Sequence, residues 1–287
     1  MQAIIQGLTE FLPVSSSGHI SLYQHFTGNS GEGSLFFSAV LHLGTLVAVF
    51  VAFRKRIWAM IKELGSLVKD IFGRRFKWSE MNGNRRMIIM IFFSCCCLLP
   101  FAPFLDWFEH FAEDSSILAE GICFLYTCVI LFMSDRCVKG NKQAEDIQVK
   151  DSVTIGFMQG VAMLPGVSRS GSTISGGMIT GLSRKRSEDF SFLMAIPAIL
   201  GAAVLGAKDI KDMADAAGIG LGAQLNTLVA QMGGAVPLLI GFVTSAVASF
   251  LALRLMLYVA RKIGFRWFAA YTFLLGAFLI ARQVLAI

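Results

Sequence analysis

Long apolar runs separated by short polar segments dominate the hydrophobic pattern of the chain. A run of about 18 residues or more can cross the hydrocarbon core of a bilayer as a helix. We predict a membrane-spanning helix for each run of this length: residues 34–53, 87–104, 117–134, 190–207, 232–258 and 267–285. The pattern therefore predicts an all-α polytopic membrane protein, with residues 1–287 forming a single integral membrane domain.

Two further apolar segments are too short to cross, and small, hydroxylated and helix-breaking residues interrupt each of them. In residues 1–28 the break covers residues 12–18, and in residues 152–182 it covers residues 164–173. Irregular backbone at membrane depth is tolerated only where protein or a water-filled cavity satisfies its polar groups. We therefore expect two re-entrant helical hairpins in addition to the six transmembrane helices.

Composition and charge distribution support a membrane protein. Only 15% of the residues are charged, against roughly 25% in soluble domains, and the mean hydropathy is +0.65. Residues 54–86 contain ten Lys and Arg and three acidic residues, so the positive-inside rule places this loop in the cytoplasm. The acidic segment 105–116 then lies outside. The net charge of +6 comes from residues between apolar runs, which indicates topology signals and no nucleic-acid partner.

The two halves of the chain share a short pattern at a constant offset of 153 residues. The matching segments are Gln6-Gly7 with Gln159-Gly160, and Ser15-Ser16-Ser17-Gly18 with Ser168-Arg169-Ser170-Gly171. The charge alternation gives the spans after the two breaks opposite directions, so we predict inverted repeats over about 1–134 and 152–287. Broken helices at equivalent positions of such repeats indicate a shared site near the middle of the membrane. We therefore expect the two breaks to meet.

The breaks and the helices beside them carry groups that suit phosphoryl chemistry. Ionisable groups inside a membrane cost at least ~2.5–3.5 kcal/mol each, so a function is expected of Glu10, His19 and Arg169. The arginine can hold phosphate oxygens bidentately. Hydroxyls lie where helix N-termini attract anions: Ser15, Ser16, Ser17, Ser168, Ser170 and Thr173.

Two roles follow for the residues of the first break. A serine beside His19 has the nucleophile and base pattern of covalent catalysis, with the serine as nucleophile and His19 as general base. Attack by His19 itself, or by a water that it activates, stays open. Glu10 and Gln6 share one helix face and can hold a divalent cation, Mg²⁺ or Ca²⁺, through oxygen ligands.

Two classes of function are compatible with these features. One is a membrane-embedded enzyme that carries out phosphoryl chemistry. The other is a transporter that moves a lipid phosphate through the same site without hydrolysis, because inverted repeats with broken helices are also typical of alternating access. The clustered nucleophile, base and arginine favour the enzyme. A purely structural scaffold does not account for the intramembrane charges.

The two breaks also resemble a known family. The segments are Gln6-Gly-Leu-Thr-Glu10-Phe-Leu-Pro-Val-Ser-Ser-Ser-Gly-His19 and Pro165-Gly-Val-Ser-Arg-Ser-Gly-Ser-Thr173, which are similar to the two motifs of membrane-embedded bacterial undecaprenyl-pyrophosphate phosphatases. The resemblance implies removal of the terminal phosphate of a C55 polyprenyl pyrophosphate, which regenerates the carrier lipid for peptidoglycan and other envelope polymers. It also implies bacitracin resistance, dependence on a divalent cation, and a plasma-membrane protein whose active site opens to the extracytoplasmic side.

The motifs assign roles to individual residues. By position, Glu10 and Gln6 match the family's acidic pair, Ser16 and His19 its serine and histidine, and Arg169 its phosphate-binding arginine. Ser168 and Thr173 match the flanking hydroxyls. Gln6 stands where many members have glutamate, so we assign the metal chiefly to Glu10. The expected partners are the polyprenyl pyrophosphate and membrane lipids, and a homodimer is left open.

Overall fold

The computed structural model describes residues 1–28, 34–104, 107, 116–137 and 140–285. Within these ranges the chain folds into α-helices joined by short connections, and one isolated bridge pairs Lys142 with Leu182. The helices are α1 Gln2–Thr9, α2 Ser16–Thr27, α3 Ser34–Phe72, α4 Gly83–Cys96, α5 Leu118–Arg136, α6 Val149–Val161, α7 Arg169–Ile179, α8 Arg184–Ala216, α9 Leu221–Gln231, α10 Ala235–Lys262 and α11 Arg266–Leu285.

Long apolar helices make this a multi-pass membrane protein. Six helical segments of the described chain are long and apolar enough to cross a bilayer: Phe36–Phe72, Gly83–Phe104, Leu118–Arg136, Arg184–Ala216, Ala235–Val259 and Arg266–Leu285. Each contains or overlaps one of the six runs predicted from the hydrophobic pattern. The all-helical class and the six candidate spans are therefore confirmed.

The bounds of two spans differ from the prediction by more than a few residues. Helix α3 continues to Phe72, so the first half of the segment predicted as a loop over residues 54–86 is helical. Basic residues alone do not end a helix, and Arg85 holds the extension in place through Glu63 (3.0 Å) and Asp70 (2.8 Å).

Helix α8 likewise exceeds the predicted span of residues 190–207. It begins at Arg184, so that the basic residues Arg184, Lys185 and Arg186 form its first turn, and it runs to Ala216. Residues 208–226, which lie between two of the predicted spans, therefore contain its last turns and the start of α9. The acidic segment 105–116 lies outside the described residues except for positions 107 and 116.

Helix α10 fixes the positions of α1 and α3. The Ser249 hydroxyl donates to the carbonyl of Gly7 in α1 at 3.1 Å, and the Ser245 hydroxyl donates to the carbonyl of Leu41 in α3 at 2.9 Å. A side chain at Gly7 would place its Cβ 2.6 Å from that of Ala248, closer than atoms pack. The short helix α1 is therefore held directly against a membrane span.

The core surrounds the two breaks of the chain. One apolar cluster contains Phe11, directly before the first break, Ile174 and Met178 from α7, and Phe192 from α8. The rings of Phe11 and Phe192 meet edge to face at 5.8 Å. Each half thus has the same order of a short helix, a break, a second short helix and a long helix: α1, α2 and α3, then α6, α7 and α8.

Candidate active site

Serine caps give the two breaks the same local structure. Ser15 precedes α2 and its hydroxyl accepts the amide N–H of Gly18 at 3.3 Å. Ser168 precedes α7 and accepts the N–H of Gly171 at 3.1 Å. Each capping hydroxyl also lies 3.3 Å from the hydroxyl two residues ahead, in the pairs Ser15 with Ser17 and Ser168 with Ser170. Positions 153 residues apart therefore share hydrogen bonds as well as residue types.

The two breaks are in direct contact. The Ser170 hydroxyl donates to the carbonyl of Leu12 at 3.1 Å. At a second point a Cβ on Gly18 would lie 2.7 Å from the Cα of Gly166, so only glycine fits there. Gly166 also has a φ of +93°, which L side chains rarely adopt. The expectation that the breaks meet is confirmed.

Glu10 is the centre of the polar contacts between the breaks. Its Oε2 accepts hydrogen bonds from Gln6 Nε2 and from the Ser16 hydroxyl, both at 2.7 Å. Its Oε1 is ion-paired with the guanidinium of Arg169 from the second break. The Glu10 side chain is only 3% exposed, and a carboxylate buried this deeply needs such partners. One carboxylate thus joins residues from both halves of the chain.

His19 lies beside this cluster, and both of its ring nitrogens have partners. Nδ1 is 2.6 Å from the carbonyl oxygen of Ser15, which can only accept, so Nδ1 carries a proton. Nε2 is 2.6 Å from the hydroxyl of Tyr271 in α11, and the two rings stack at 5.7 Å. In the described geometry the imidazole binds the backbone of the first break and α11, while Ser16 binds Glu10.

A cavity of about 170 Å³ opens between the breaks. It is lined by Glu10, Ser15, Ser16, Ser17, His42, Ala162, Met163, Val167, Ser168 and Arg169. The site predicted from the sequence is thus brought together in part. Both a carboxylate and a guanidinium face the cavity, together with four serines from two helix N-termini.

The other predicted site residues lie behind this lining. Gln6 is fully buried and contacts the cavity only through Glu10. Ser170 binds the first break as described above. The Thr173 hydroxyl is 2.6 Å from the Ser191 hydroxyl and donates to the carbonyl of Arg169 at 2.9 Å, so it supports the first turn of α7.

The oxygen donors beside the cavity fit a hard divalent cation. Gln6 Oε1 is buried and has no hydrogen-bond partner, although its amide nitrogen binds Glu10. Carboxylate and amide oxygens are ligands of Mg²⁺ and Ca²⁺. Across the ranges given above, no cluster of three or more His, Cys, Asp or Glu could hold a metal. Glu10 and Gln6 supply oxygen atoms of the type that such a cation prefers.

Two residues of the site are not among those predicted. His42 of α3 lines the cavity, and its signal was an ionisable side chain within an otherwise apolar span. Tyr271 of α11 binds His19 from a distance of 252 residues along the chain. No local pattern marks Tyr271, because its role depends on how α11 packs.

Known proteins of one family are similar to nearly the whole chain. The family model of bacitracin resistance protein BacA matches residues 1–278. An undecaprenyl-diphosphatase of Carboxydothermus hydrogenoformans is 37% identical over 281 residues, covering 98% of this chain and 94% of the relative. Proteins of the same name from Alkaliphilus metalliredigens (32% identical, 98% of this chain and 96% of the relative) and Bacteroides fragilis (36%, 95% and 92%) are also similar. The chain therefore belongs to the BacA family.

Proposed function

We propose that this protein is an undecaprenyl-diphosphatase, which hydrolyses the terminal phosphate of a C55 polyprenyl diphosphate and regenerates the carrier lipid monophosphate for cell-envelope synthesis. The relatives named undecaprenyl-diphosphatase match this chain over almost their whole length. The observation that carries the proposal for the site is the joint cavity of the two breaks, where Arg169, Glu10 and Ser16 meet. The transporter alternative is not favoured, because these relatives are named as hydrolases.

Arg169 is the group that binds the terminal phosphate. In the structure its guanidinium is paired with Glu10. Phosphate oxygens can compete for the guanidinium, because they are negatively charged like the carboxylate and also bind arginine bidentately. The N-termini of α2 and α7 both face the cavity with serine caps, which adds N–H groups and positive helix-dipole ends. Substrate binding thus transfers Arg169 from the carboxylate to the phosphate.

Ser16 is the proposed nucleophile and Glu10 its base. The Ser16 hydroxyl already donates to Glu10 at 2.7 Å, which is within reach for proton transfer. Its oxygen forms a bond to the terminal phosphorus, the bond from that phosphorus to the bridging oxygen breaks, and Glu10 takes the hydroxyl proton. This assigns Glu10 the base role that the sequence suggested for His19.

His19 then holds the first break in place. Its Nδ1–H donates to the carbonyl of Ser15, whose φ of +69° is rare for a non-glycine residue. The nucleophile is tested by trapping a phosphoenzyme with substrate labelled in the terminal phosphate. Label on Ser16 supports this assignment, whereas label on His19 or the absence of any phosphoenzyme in single turnover contradicts it.

A divalent cation, Mg²⁺ or Ca²⁺, is the proposed cofactor. Glu10 and the unpartnered Gln6 Oε1 would hold it, and when bound it offsets the charge of the diphosphate. Gln6→Ala should therefore raise the concentration of cation needed for half-maximal activity. Gln6→Glu should lower it, because a second carboxylate strengthens binding of a hard cation.

In the membrane, the two helix–break–helix units are proposed as re-entrant hairpins of an inverted repeat. Helices α1 and α7 have 8 and 11 residues, or roughly 12 and 16 Å, too short for a hydrocarbon core of about 30 Å. The matching caps at Ser15 and Ser168 support the repeat, and the charge alternation directs the hairpins from opposite sides. The protein is proposed to lie in the bacterial plasma membrane with its cavity open to the extracytoplasmic side.

This topology is tested by labelling single cysteines in a variant without the six native ones. A cysteine at Trp78, between α3 and α4, should react only with a reagent that enters the cell. A cysteine at Gly218, between α8 and α9, should react from outside. Reaction of position 78 with an impermeant reagent in intact cells would invert the topology.

The activity itself is tested with purified protein in detergent. We expect release of inorganic phosphate from undecaprenyl diphosphate and accumulation of the lipid monophosphate. If the protein instead moves lipid phosphate across vesicles and releases none, the transporter alternative is correct.

A further inference from the structure

Helix α3 is longer than the membrane that it crosses. Its 39 residues, Ser34–Phe72, extend for roughly 58 Å, whereas the hydrocarbon core of a bilayer is about 30 Å thick. The part beyond the predicted span, residues 54–72, begins at the first Lys or Arg of the helix, Arg54. We call residues 54–72 the α3 extension. Its surroundings follow from its contacts and from the residues on its surface.

Contacts with α4 hold the α3 extension at the border of the membrane. Arg85 lies in the first turn of α4 and binds Glu63 at 3.0 Å and Asp70 at 2.8 Å. The apolar run of α4 begins two residues later, at Met87, so Arg85 marks the end of that candidate span. Because Glu63 and Asp70 are two helical turns apart, the α3 extension lies along this border over at least that distance.

The side of the α3 extension opposite Glu63 and Asp70 is apolar. Five apolar residues recur there at intervals of three or four positions, which keeps them on one helix face: Trp58, Ile61, Leu64, Val68 and Phe72. Each of these five residues is at least 43% exposed. A continuous exposed apolar face of this kind marks a surface that contacts lipid or another protein.

A row of lysines borders the apolar face on one side. Lys55, Lys62 and Lys69 are spaced by seven residues, so they lie along one line of the helix, and all three are exposed. Lys62 Nζ lies 5.5 Å from the centre of the Trp58 ring, which brings the row next to the apolar face. A helix with an apolar face beside a basic one binds to the surface of membranes that contain anionic lipids.

Charge distinguishes lipid from a second copy of this chain as the partner. The α3 extension contains two acidic residues, Glu63 and Asp70, and both are bound to Arg85. An identical helix packed against the apolar face would therefore bring no free carboxylate to the lysines. The phosphate groups of anionic phospholipids supply the negative charge, and their acyl chains cover the apolar face.

We propose that the α3 extension is a binding surface for anionic phospholipids. Its apolar face inserts among the acyl chains, and the row of Lys55, Lys62 and Lys69 binds the phosphate groups of the headgroups. In the proposed topology these lipids belong to the cytoplasmic leaflet. The surface is separate from the cavity between the breaks, so it does not depend on the proposed hydrolase activity.

The apolar face is tested by spin labelling of the full-length protein. A variant without the six native cysteines carries the label at Leu64→Cys, or at the exposed Asn141→Cys after α5 as a control, in vesicles of phosphatidylglycerol and phosphatidylcholine in equal parts. The label at position 64 should be severalfold less accessible to a water-soluble nickel chelate than the label at position 141, and more accessible to oxygen. Equal accessibility to the chelate overturns the proposal, because the α3 extension then lies in water. Spin–spin broadening at position 64 that disappears on dilution with unlabelled protein also overturns it, because the face then pairs with a second copy.

The lysine row is tested by fluorescence quenching at Trp58. The other three tryptophans are replaced by phenylalanine, and quenching by brominated phosphatidylglycerol is compared with quenching by brominated phosphatidylcholine. We expect a relative affinity that favours phosphatidylglycerol, which Lys62→Gln lowers about fivefold, as for one basic residue near an anionic surface. The control Lys208→Gln in α8, whose charge lies beside Asp209, should keep the native preference. Equal quenching by the two lipids, or an unchanged preference in Lys62→Gln, overturns the proposal.

Discussion

The ion pair of Glu10 and Arg169 should couple the stabilities of the two halves of the chain. The pair joins the end of α1 to the second break, 159 residues further along the chain, and the Glu10 side chain is 3% exposed while that of Arg169 is 24% exposed. A double-mutant cycle of Glu10→Gln and Arg169→Gln isolates this coupling. Both substitutions remove charge while retaining polar side chains.

The burial of the two partners sets the expected magnitude. Removing one partner of a fully buried ion pair costs about 3–5 kcal/mol, because the other charge is left without compensation. The exposed quarter of Arg169 reduces this penalty, and Gln6 and Ser16 still bind Glu10 when the arginine is absent. We therefore expect each single variant to lose about 2–3 kcal/mol, and a coupling energy of about 1–3 kcal/mol, near the upper part of the usual range.

The assay is equilibrium unfolding of the purified protein in mixed micelles, with the free energy of unfolding measured for all four proteins. The control cycle pairs Glu10→Gln with Lys142→Gln, because Lys142 binds Asp151 at 3.0 Å and not the cavity. That pair should be additive. If the cycle of Glu10 and Arg169 is also additive within about 0.5 kcal/mol, the two breaks are not energetically linked and the reasoning is refuted.

Two further substitutions test the contacts around the breaks. Gly18→Ala should destabilise the fold by about 1–3 kcal/mol, typical of overpacking, because its Cβ would lie 2.7 Å from the Cα of Gly166; native-like unfolding of this variant in mixed micelles would contradict the close contact. Tyr271→Phe should lower kcat about threefold to tenfold, because the variant lacks the hydroxyl that donates a hydrogen bond to His19 Nε2. This range corresponds to the net energy of about one hydrogen bond. Tyr126→Phe, in α5, is the matched control, and an equal loss in both variants would argue against a specific role of Tyr271.

Much of the fold could be predicted from the chain because lipid leaves few alternatives. A helix that crosses the bilayer must be long, and its backbone must form its hydrogen bonds within the protein. The sequence therefore directly shows both the spans of 18 or more apolar residues and the short broken helices. The bounds were less accurate. The helix through Phe72 depends on ion pairs of Arg85 with Glu63 and Asp70, which form only after α3 and α4 pack together.

The site, too, could be predicted from the sequence only in part. Glu10, Ser16 and Arg169 could be identified because charge and hydroxyls are unusual in broken apolar segments, and the repeat indicated that they meet. Their pairing could not be predicted, since which group Ser16 binds depends on side-chain directions across the breaks. The partners of His19 and the position of His42 likewise depend on how α3 and α11 pack against the two breaks.

The central claim is that residues from both breaks form one catalytic site. Its most direct test is phosphate release from undecaprenyl diphosphate by purified Glu10→Ala and Arg169→Ala, each altering one half of the chain, with Arg54→Ala as a control on the exposed surface of α3. We predict losses of at least about 100-fold in kcat for both site variants, as for removal of one group that stabilises a transition state, and native activity for the control. Near-native phosphate release by either folded site variant would contradict the claim.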